Sequence, residues 1–273
     1  MAEILMCPPD FFGIEYEINP WMDRTRNADH QTAVHQWQQL RSTLSDAGAT
    51  IHEMQPVAGL PDLVFTASAA LVYQRQAVVS QFRPLQRQPE QMHDAEWFNG
   101  HGYQVQELDQ GLFFEGAGDA LFCGETLWAG YRMRSDAVAQ QRIGEVLDVQ
   151  VLLLELMDPY YYHLDTCFCP LTEDTAMYFP GAFDGYGRKV LRESVRHLIE
   201  IEEQEARSFA ANAVVVGDVV VTNIGCDKLH LRLRAEGFEP IETPLGEFTK
   251  AGGSAKCLTL RLDGEDAASW ARG

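Results

Sequence analysis

The chain has 273 residues, 46% apolar and 22% charged, ordinary proportions for a globular protein with a sizeable core. Its 21 basic and 40 acidic residues leave a net charge of −19, which opposes binding to nucleic acid or anionic membrane and suits small, especially cationic, ligands. No apolar run reaches the ~20 residues that span a bilayer, residues 1–6 lack the parts of an export signal, and six cysteines in such a chain read as thiols, so a cytoplasmic protein is expected.

In chain order, the pattern predicts a helix over 29–47 and a short strand over 50–54. A hairpin follows (63–73 with 77–82), then a helix over 89–100 and a strand over 103–107. The same order returns as hairpin 119–123 with 126–131, helix 136–147 and strand 149–154. Next come hairpin 166–171 with 175–179 and a long helix over 187–207. A fourth hairpin, 213–216 with 219–223, turns at Gly217-Asp218, a strong hairpin signal. Helix 228–236 and strand 238–241 follow, and a last hairpin joins 245–248 to 257–262. A ββαβ unit thus recurs about every 40–50 residues, the period range of repeat architectures. Five units closing radially would make an α/β propeller with its loops around a central pocket and its helices outside. An open mixed sheet satisfies the same periodicity. No linker-like tract divides the chain, so residues 1–262 are expected to form one domain, with a loose polar tail over 263–273.

Four segments carry candidate chemistry. In Lys250-Ala-Gly-Gly-Ser-Ala-Lys-Cys257 a glycine loop leads into a strand. Its backbone N–H groups and Lys256 could lower the Cys257 thiol pKa, although a cysteine at a strand start also reads as core. In His163-Leu-Asp-Thr-Cys-Phe-Cys169 an extended chain would put His163, Asp165, Cys167 and Cys169 on one face. Residues two apart on a strand diverge too far for all four to hold one ion, so no metal site is expected. Phe113-Phe-Glu-Gly-Ala-Gly-Asp119 places Glu115 and Asp119 about a tight turn, in an apolar setting suited to gripping a guanidinium; an ordinary Gly-Asp turn is the alternative. Leu60-Pro-Asp-Leu-Val-Phe-Thr66 carries Asp62 among apolar neighbours, where a carboxylate needs a partner, unless it caps a turn. No phosphate loop, nucleophile elbow or zinc-protease motif is present.

Together these segments resemble the guanidino-group modifying enzymes: arginine deiminases, dimethylarginine dimethylaminohydrolases, arginine dihydrolases and amidinotransferases. The matching pieces are Leu-Pro-Asp-Leu-Val-Phe-Thr at 60–66, Phe-Glu-Gly-Ala-Gly-Asp at 114–119, His-Leu-Asp-Thr-Cys-Phe at 163–168 and Gly-Gly-Ser-Ala-Lys-Cys-Leu-Thr at 252–259. The opening Met6-Cys-Pro-Pro-Asp10, with Ile18-Asn-Pro-Trp-Met22, looks like the dihydrolase branch. The resemblance spans residues 6–262 and implies a five-bladed α/β propeller. It implies Cys257 as nucleophile and His163 as general acid and base. Glu115 and Asp165 match positions that orient the histidine or bind the guanidinium, and Asp62 the position that meets the α-amine. Arg87 and Arg134 fall where the family places arginines for the α-carboxylate, with Arg83 and Arg132 as near alternatives. Asn19 matches a polar residue by the pocket lid, and Phe65 joins the substrate-contacting segment. The implied partner is arginine or an N-substituted arginine, in a protein that could be a homo-oligomer.

The implied chemistry needs no metal or organic cofactor. Carboxylates fix the guanidinium plane and expose its carbon to an in-line thiolate. His163 protonates the departing amine, leaving an S-alkylthiouronium, then deprotonates the water that hydrolyses it. One residue departs from the family. Ser68 stands where deiminases carry an acid and the dihydrolase branch an asparagine, and a hydroxyl cannot make the bidentate grip. A dihydrolase must attack again at the neutral ureido product. On the sequence, a citrulline-forming deiminase therefore ranks ahead of an ornithine-forming dihydrolase. A dimethylaminohydrolase, an amidinotransferase and a silent arginine-binding protein remain as further readings.

Overall fold

A computed structural model describes residues 2–265. Strand β1 (Glu3–Met6) is followed by helix α1 (His30–Asp46) and β2 (Thr50–Glu53). Helix α1 begins where the Asp29 carboxylate accepts the Thr32 amide at 2.8 Å, which caps an otherwise orphaned backbone donor. It buries Ala33, Trp37, Leu40 and Leu44, one stripe at helical spacing. The unit then repeats as hairpin, helix and parallel strand. The second has β3 (Ala70–Tyr73), β4 (Gln76–Val79), α2 (Glu90–Gly100) and β5 (Gln104–Gln106). The third has β6 (Ala120–Cys123), β7 (Thr126–Tyr131), α3 (Ala137–Leu147) and β8 (Gln150–Glu155). The fourth has β9 (Phe168–Pro170), β10 (Thr175–Tyr178), α4 (Gly185–Ser194) and β11 (His197–Glu200). After the short α5 (Glu203–Ala206), the fifth has β12 (Val214–Val216), β13 (Val219–Asn223), α6 (Asp227–Ala235) and β14 (Glu239–Thr243). The short α7 (Gly246–Thr249) and β15 (Leu260–Arg261) end the described chain.

Each unit is a three-stranded sheet whose middle strand pairs antiparallel on one side and parallel on the other. The first sheet is closed by the far end of the chain, because β15 pairs with β1 through Ile4–Arg261 and Leu5–Leu260. The sheets are joined at their inner ends by a ring of turns. Ala67 N–H donates to Cys257 O at 3.1 Å and Lys256 N–H to Asn212 O at 3.2 Å. The Asn212 amide donates to Asp165 O at 3.1 Å, and Leu164 N–H to the Asp119 carboxylate at 3.0 Å. Gly116 completes the ring: at φ +60° it lies so close to the second unit that a Cβ would come within 2.8 Å of Ala67 O. One turn from each of the five units thus lies at the centre, and the fold is a five-bladed α/β propeller. Among the described residues no helix is long and apolar enough to cross a membrane.

Three predicted elements differ. The strand expected from residue 63 starts at Ala70, because Pro61–Val64 and Thr66–Ser68 form 3-10 turns that bend the chain towards the axis. The helix expected over 187–207 breaks after Ser194. His197–Glu200 instead pairs parallel with β10, burying Ile199. The hairpin expected between 245–248 and 257–262 does not form, since Gly246–Thr249 is helical and β15 pairs with β1. Of the polar tail, Asp263 binds Arg261 at 2.7 Å and Glu265 binds Lys256 at 2.9 Å, while 266–273 lie outside the described residues.

Candidate active site

The inner turns enclose a small cavity at the propeller axis. Asn19, Asp62, Phe65, Ser68, Arg87, Arg134, His163 and Cys257 all line it, with Tyr162 and Met22 among their neighbours. Predicted residues from six separate places in the chain therefore meet here, while Glu115 and Asp165 are not in the lining and reach it only through His163 and the Cys257 sulfur. The cavity also separates Arg87 and Arg134 from their near alternatives. Arg83 turns to Asp136 and Arg132 to Glu155 at 2.9 Å, both away from the cavity.

The histidine wall is a buried charge network. His163 Nε2 meets Glu115 Oε2 at 2.8 Å, and the same oxygen accepts Arg134 Nη1 at 2.8 Å. Burial disfavours charge on Glu115, but Arg134 and His163 outweigh it and hold the carboxyl well below the usual range. Behind the ring, Gly118 lies so close that a Cβ would be 3.0 Å from His163 Nδ1. Asp119 was expected to grip a ligand with Glu115. It instead accepts Leu164 N–H at 3.0 Å and the Ser135 hydroxyl at 2.7 Å, so it fixes the turn that carries His163.

The expected single-faced strand from His163 to Cys169 is not formed. Leu164–Thr166 is a 3-10 turn, which changes the direction of successive side chains. His163 and Asp165 still reach the site, whereas Cys167 and Cys169 pack in the apolar core. Among the described residues no group of three or more such side chains is spaced to hold a metal ion.

The Cys257 sulfur lies 3.4 Å from Asp165 Oδ2 and 3.1 Å from Asn212 Nδ2. Lys256 was expected to lower the thiol pKa, but its ammonium is paired with Glu265 at 2.9 Å. Burial first, and Asp165 next, push the Cys257 thiol well up. Burial also raises Asp165 to about 7, with Lys256 opposing the shift. A cation in the cavity favours the charged forms of both Asp165 and Cys257.

At the other end Arg87 makes a bidentate pair with Glu90, at 3.0 and 2.7 Å, and its guanidinium also reaches Asp62 O at 3.2 Å. Asp62 is buried, its Oδ1 has no hydrogen-bond partner among the described residues, and burial raises its pKa. A carboxylate in that state can take an ammonium group. Ile18, Asn19 and Met22, from the segment Glu15 to Arg26, line the cavity. Asn19 Nδ2 donates to Ala251 O at 3.0 Å, Trp21 Nε1 to Tyr160 O at 2.8 Å, and Arg134 Nη2 to Ile18 O at 3.0 Å. Sequence reasoning missed Asn212, Tyr162 and Glu90. Asn212 alone left a signal, as a single amide in the apolar run from Phe209 to Val216.

A five-bladed α/β propeller with a cysteine, a histidine and carboxylates about its axial cavity is the architecture of the guanidino-group modifying superfamily. The chain belongs to the family described as N,N dimethylarginine dimethylhydrolase, eukaryotic, whose model matches residues 13–262. It is 46% identical over 263 residues to the bifunctional arginine dihydrolase/ornithine cyclodeaminase AgrE of a Nostoc species, covering 94% of this chain and 37% of that protein. The chain therefore spans little more than a third of that relative. It is 39% identical to an N(G),N(G)-dimethylarginine dimethylaminohydrolase of Mycobacterium tuberculosis, covering 94% of this chain and 84% of the other. A solved structure of the ArgZ N-terminal domain, an asparagine-to-serine variant covalently bound to a reaction intermediate, superposes with a TM-score of 0.93 at 45% identity, covering 96% and 98% of the two chains.

Proposed function

We propose that this chain hydrolyses free arginine at its guanidino carbon through a covalent adduct on Cys257, and that it carries the reaction through to ornithine. The observation that carries the reading is the meeting of Cys257, His163, Asp62, Arg87 and Arg134 around one cavity. The cavity is lined by Asp62, Arg87 and Arg134 for an α-amino acid and by the thiol and the imidazole, and behind these Asp165 touches the sulfur and Glu115 the imidazole.

Asp62 takes the α-ammonium, with Arg87 and Arg134 beside it for the α-carboxylate. Asp165, behind the sulfur, and Glu115, behind the imidazole, complement the guanidinium charge, and that charge favours transfer of the Cys257 proton to His163. The thiolate adds to the guanidino carbon. His163, held at Nε2 by Glu115, delivers the proton with which ammonia leaves. Water, deprotonated by His163, adds to the thiouronium carbon and expels the thiolate, giving citrulline. A second attack at the ureido carbon completes the conversion of arginine and two waters to ornithine, carbon dioxide and two ammonia. Identity of 46% to a protein named as an arginine dihydrolase supports this end point and reverses the order that the sequence alone suggested.

Ser68 favours a second reading, in which citrulline leaves and the protein is a deiminase. Ser68 lines the cavity where, by the resemblance, the dihydrolase branch has asparagine, and its hydroxyl has no hydrogen-bond partner among the described residues. The covalent intermediate held by the asparagine-to-serine variant of ArgZ's N-terminal domain accords with a serine that lets the adduct form. Incubation with arginine, followed by amino-acid and ammonia analysis, tests both. Ornithine with two ammonia supports the first reading, and citrulline with one ammonia the second. No turnover of arginine overturns both.

A further inference from the structure

Asn212 sits on the turn before β12, in the fifth blade, and none of its surface is exposed. That turn is tight: Asn212 N–H donates to Phe209 O at 3.0 Å, and Phe209 itself holds φ +62°. A side-chain amide has two N–H donors and an oxygen that accepts two bonds, and here all four are used. Oδ1 accepts the backbone N–H of Ser254 at 3.0 Å and of Cys257 at 3.1 Å. Nδ2 donates to Asp165 O at 3.1 Å and to Cys257 Sγ at 3.1 Å. The orientation of the amide is fixed by chemistry, since two backbone N–H groups can meet only its oxygen. The nitrogen must then face the sulfur.

The sulfur has one other side-chain neighbour within hydrogen-bond distance among the described residues, the Asp165 carboxylate at 3.4 Å. Once ionised, that carboxylate donates nothing and repels a thiolate. The Asn212 N–H is therefore the donor that can hold the sulfur as its proton leaves, while the same side chain keeps the 254–257 turn in place.

We propose that Asn212 is a positioning residue for the reaction. Its oxygen clamps the loop that carries Cys257, and its nitrogen donates to the sulfur and aims it into the cavity. The inference rests on Cys257 being the nucleophile and adds a side chain from the blade that otherwise contributes nothing to the site.

The two halves of the amide are separable. Asn212→Asp keeps an oxygen for the two loop N–H groups but has no donor for the sulfur. The test compares the pH dependence of iodoacetamide alkylation of Cys257, read on its peptide by mass, with steady-state kcat and KM for arginine. Asn212→Asp is expected to move the alkylation midpoint upward by about one to two pH units, the scale of one hydrogen bond to a charged group. We expect kcat to fall at least roughly tenfold, as one such unit implies, with KM changing much less. A folded Asn212→Asp with the parent's alkylation midpoint and kcat would overturn the proposal and leave Asn212 a loop brace. If Asn212→Asp does not fold, Asn212→Ala, which also lacks the donor, serves in its place, with the same shift expected and the same overturning result. Cys257→Ser is measured alongside. Retained turnover there removes the covalent reading itself, whereas an inactive Cys257→Ser beside unaltered Asn212 variants removes this proposal alone.

Discussion

Adding one methyl group behind the histidine tests whether His163 does chemistry. In Gly118→Ala the new Cβ would sit 3.0 Å from His163 Nδ1 and 3.3 Å from both Cε1 and Cγ. Comfortable contact needs about half an ångström more, so the ring must shift by roughly that amount. It has little room to do so. Nε2 is held by Glu115 at 2.8 Å, and Tyr162 packs against the ring at 4.7 Å between centroids. A misplacement of about 1 Å can cost about 100-fold in rate, so half of that predicts a loss in kcat of roughly tenfold, or about 1.4 kcal/mol of activation free energy. KM should hold within about twofold, because the groups assigned to the α-amine and α-carboxylate are not moved, as expected when an interaction specific to the transition state is lost. Overpacking should also cost about 1–3 kcal/mol of stability. Steady-state ammonia release and thermal melting measure both effects. A folded Gly118→Ala with the parent's kcat would refute a role for the imidazole in proton transfer.

Two further outcomes follow from the same geometry. Asp165 is pushed up to about 7 by burial, and its ionised form is the one that meets a guanidinium; kcat/KM for arginine should therefore rise with pH through a single ionisation near 7, and Asp165→Asn should abolish that limb. Because the folded protein holds this proton more tightly than the unfolded chain, Asp165 contributes stability that is full below pH 3.8 and is lost as the pH rises through about 7. The melting temperature of the parent should decline over that window more than that of Asp165→Asn; equal slopes would contradict the assignment. Glu115→Gln leaves Arg134 and His163 without their shared charge partner, and kcat should fall by roughly 100-fold or more, the lower end of what positioned acid–base groups contribute; a fall of less than threefold would show that Glu115 does not serve the histidine.

The repeat was legible because each blade carries its own hairpin and amphipathic helix, both local patterns. The first blade was not, since β1 and β15 lie at opposite ends of the sequence and their pairing leaves no local trace. Alternation also misled at the centre of the molecule. Leu63–Tyr73 and the stretch from His163 to Cys169 read as strands, yet both begin as 3-10 turns, because side chains and backbone there answer to the ring of turns around the axis. Most of the residues that line the cavity were legible through their motifs and the resemblance. What they touch was not. Lys256 stands next to Cys257 in sequence but spends its charge on Glu265, and Asp119, four residues from Glu115, braces the His163 turn. Asn212 lies 45 residues from Cys257 along the chain, so no spacing rule could connect its amide to the sulfur.

The most direct test of covalent catalysis at Cys257 is to mix the protein with arginine, quench in acid within a turnover, and weigh the peptide that carries Cys257. The account predicts a peptide heavier by arginine less one ammonia, present in the parent and missing in Cys257→Ser. Active protein whose Cys257 peptide never gains that mass, together with turnover by Cys257→Ser, would contradict it.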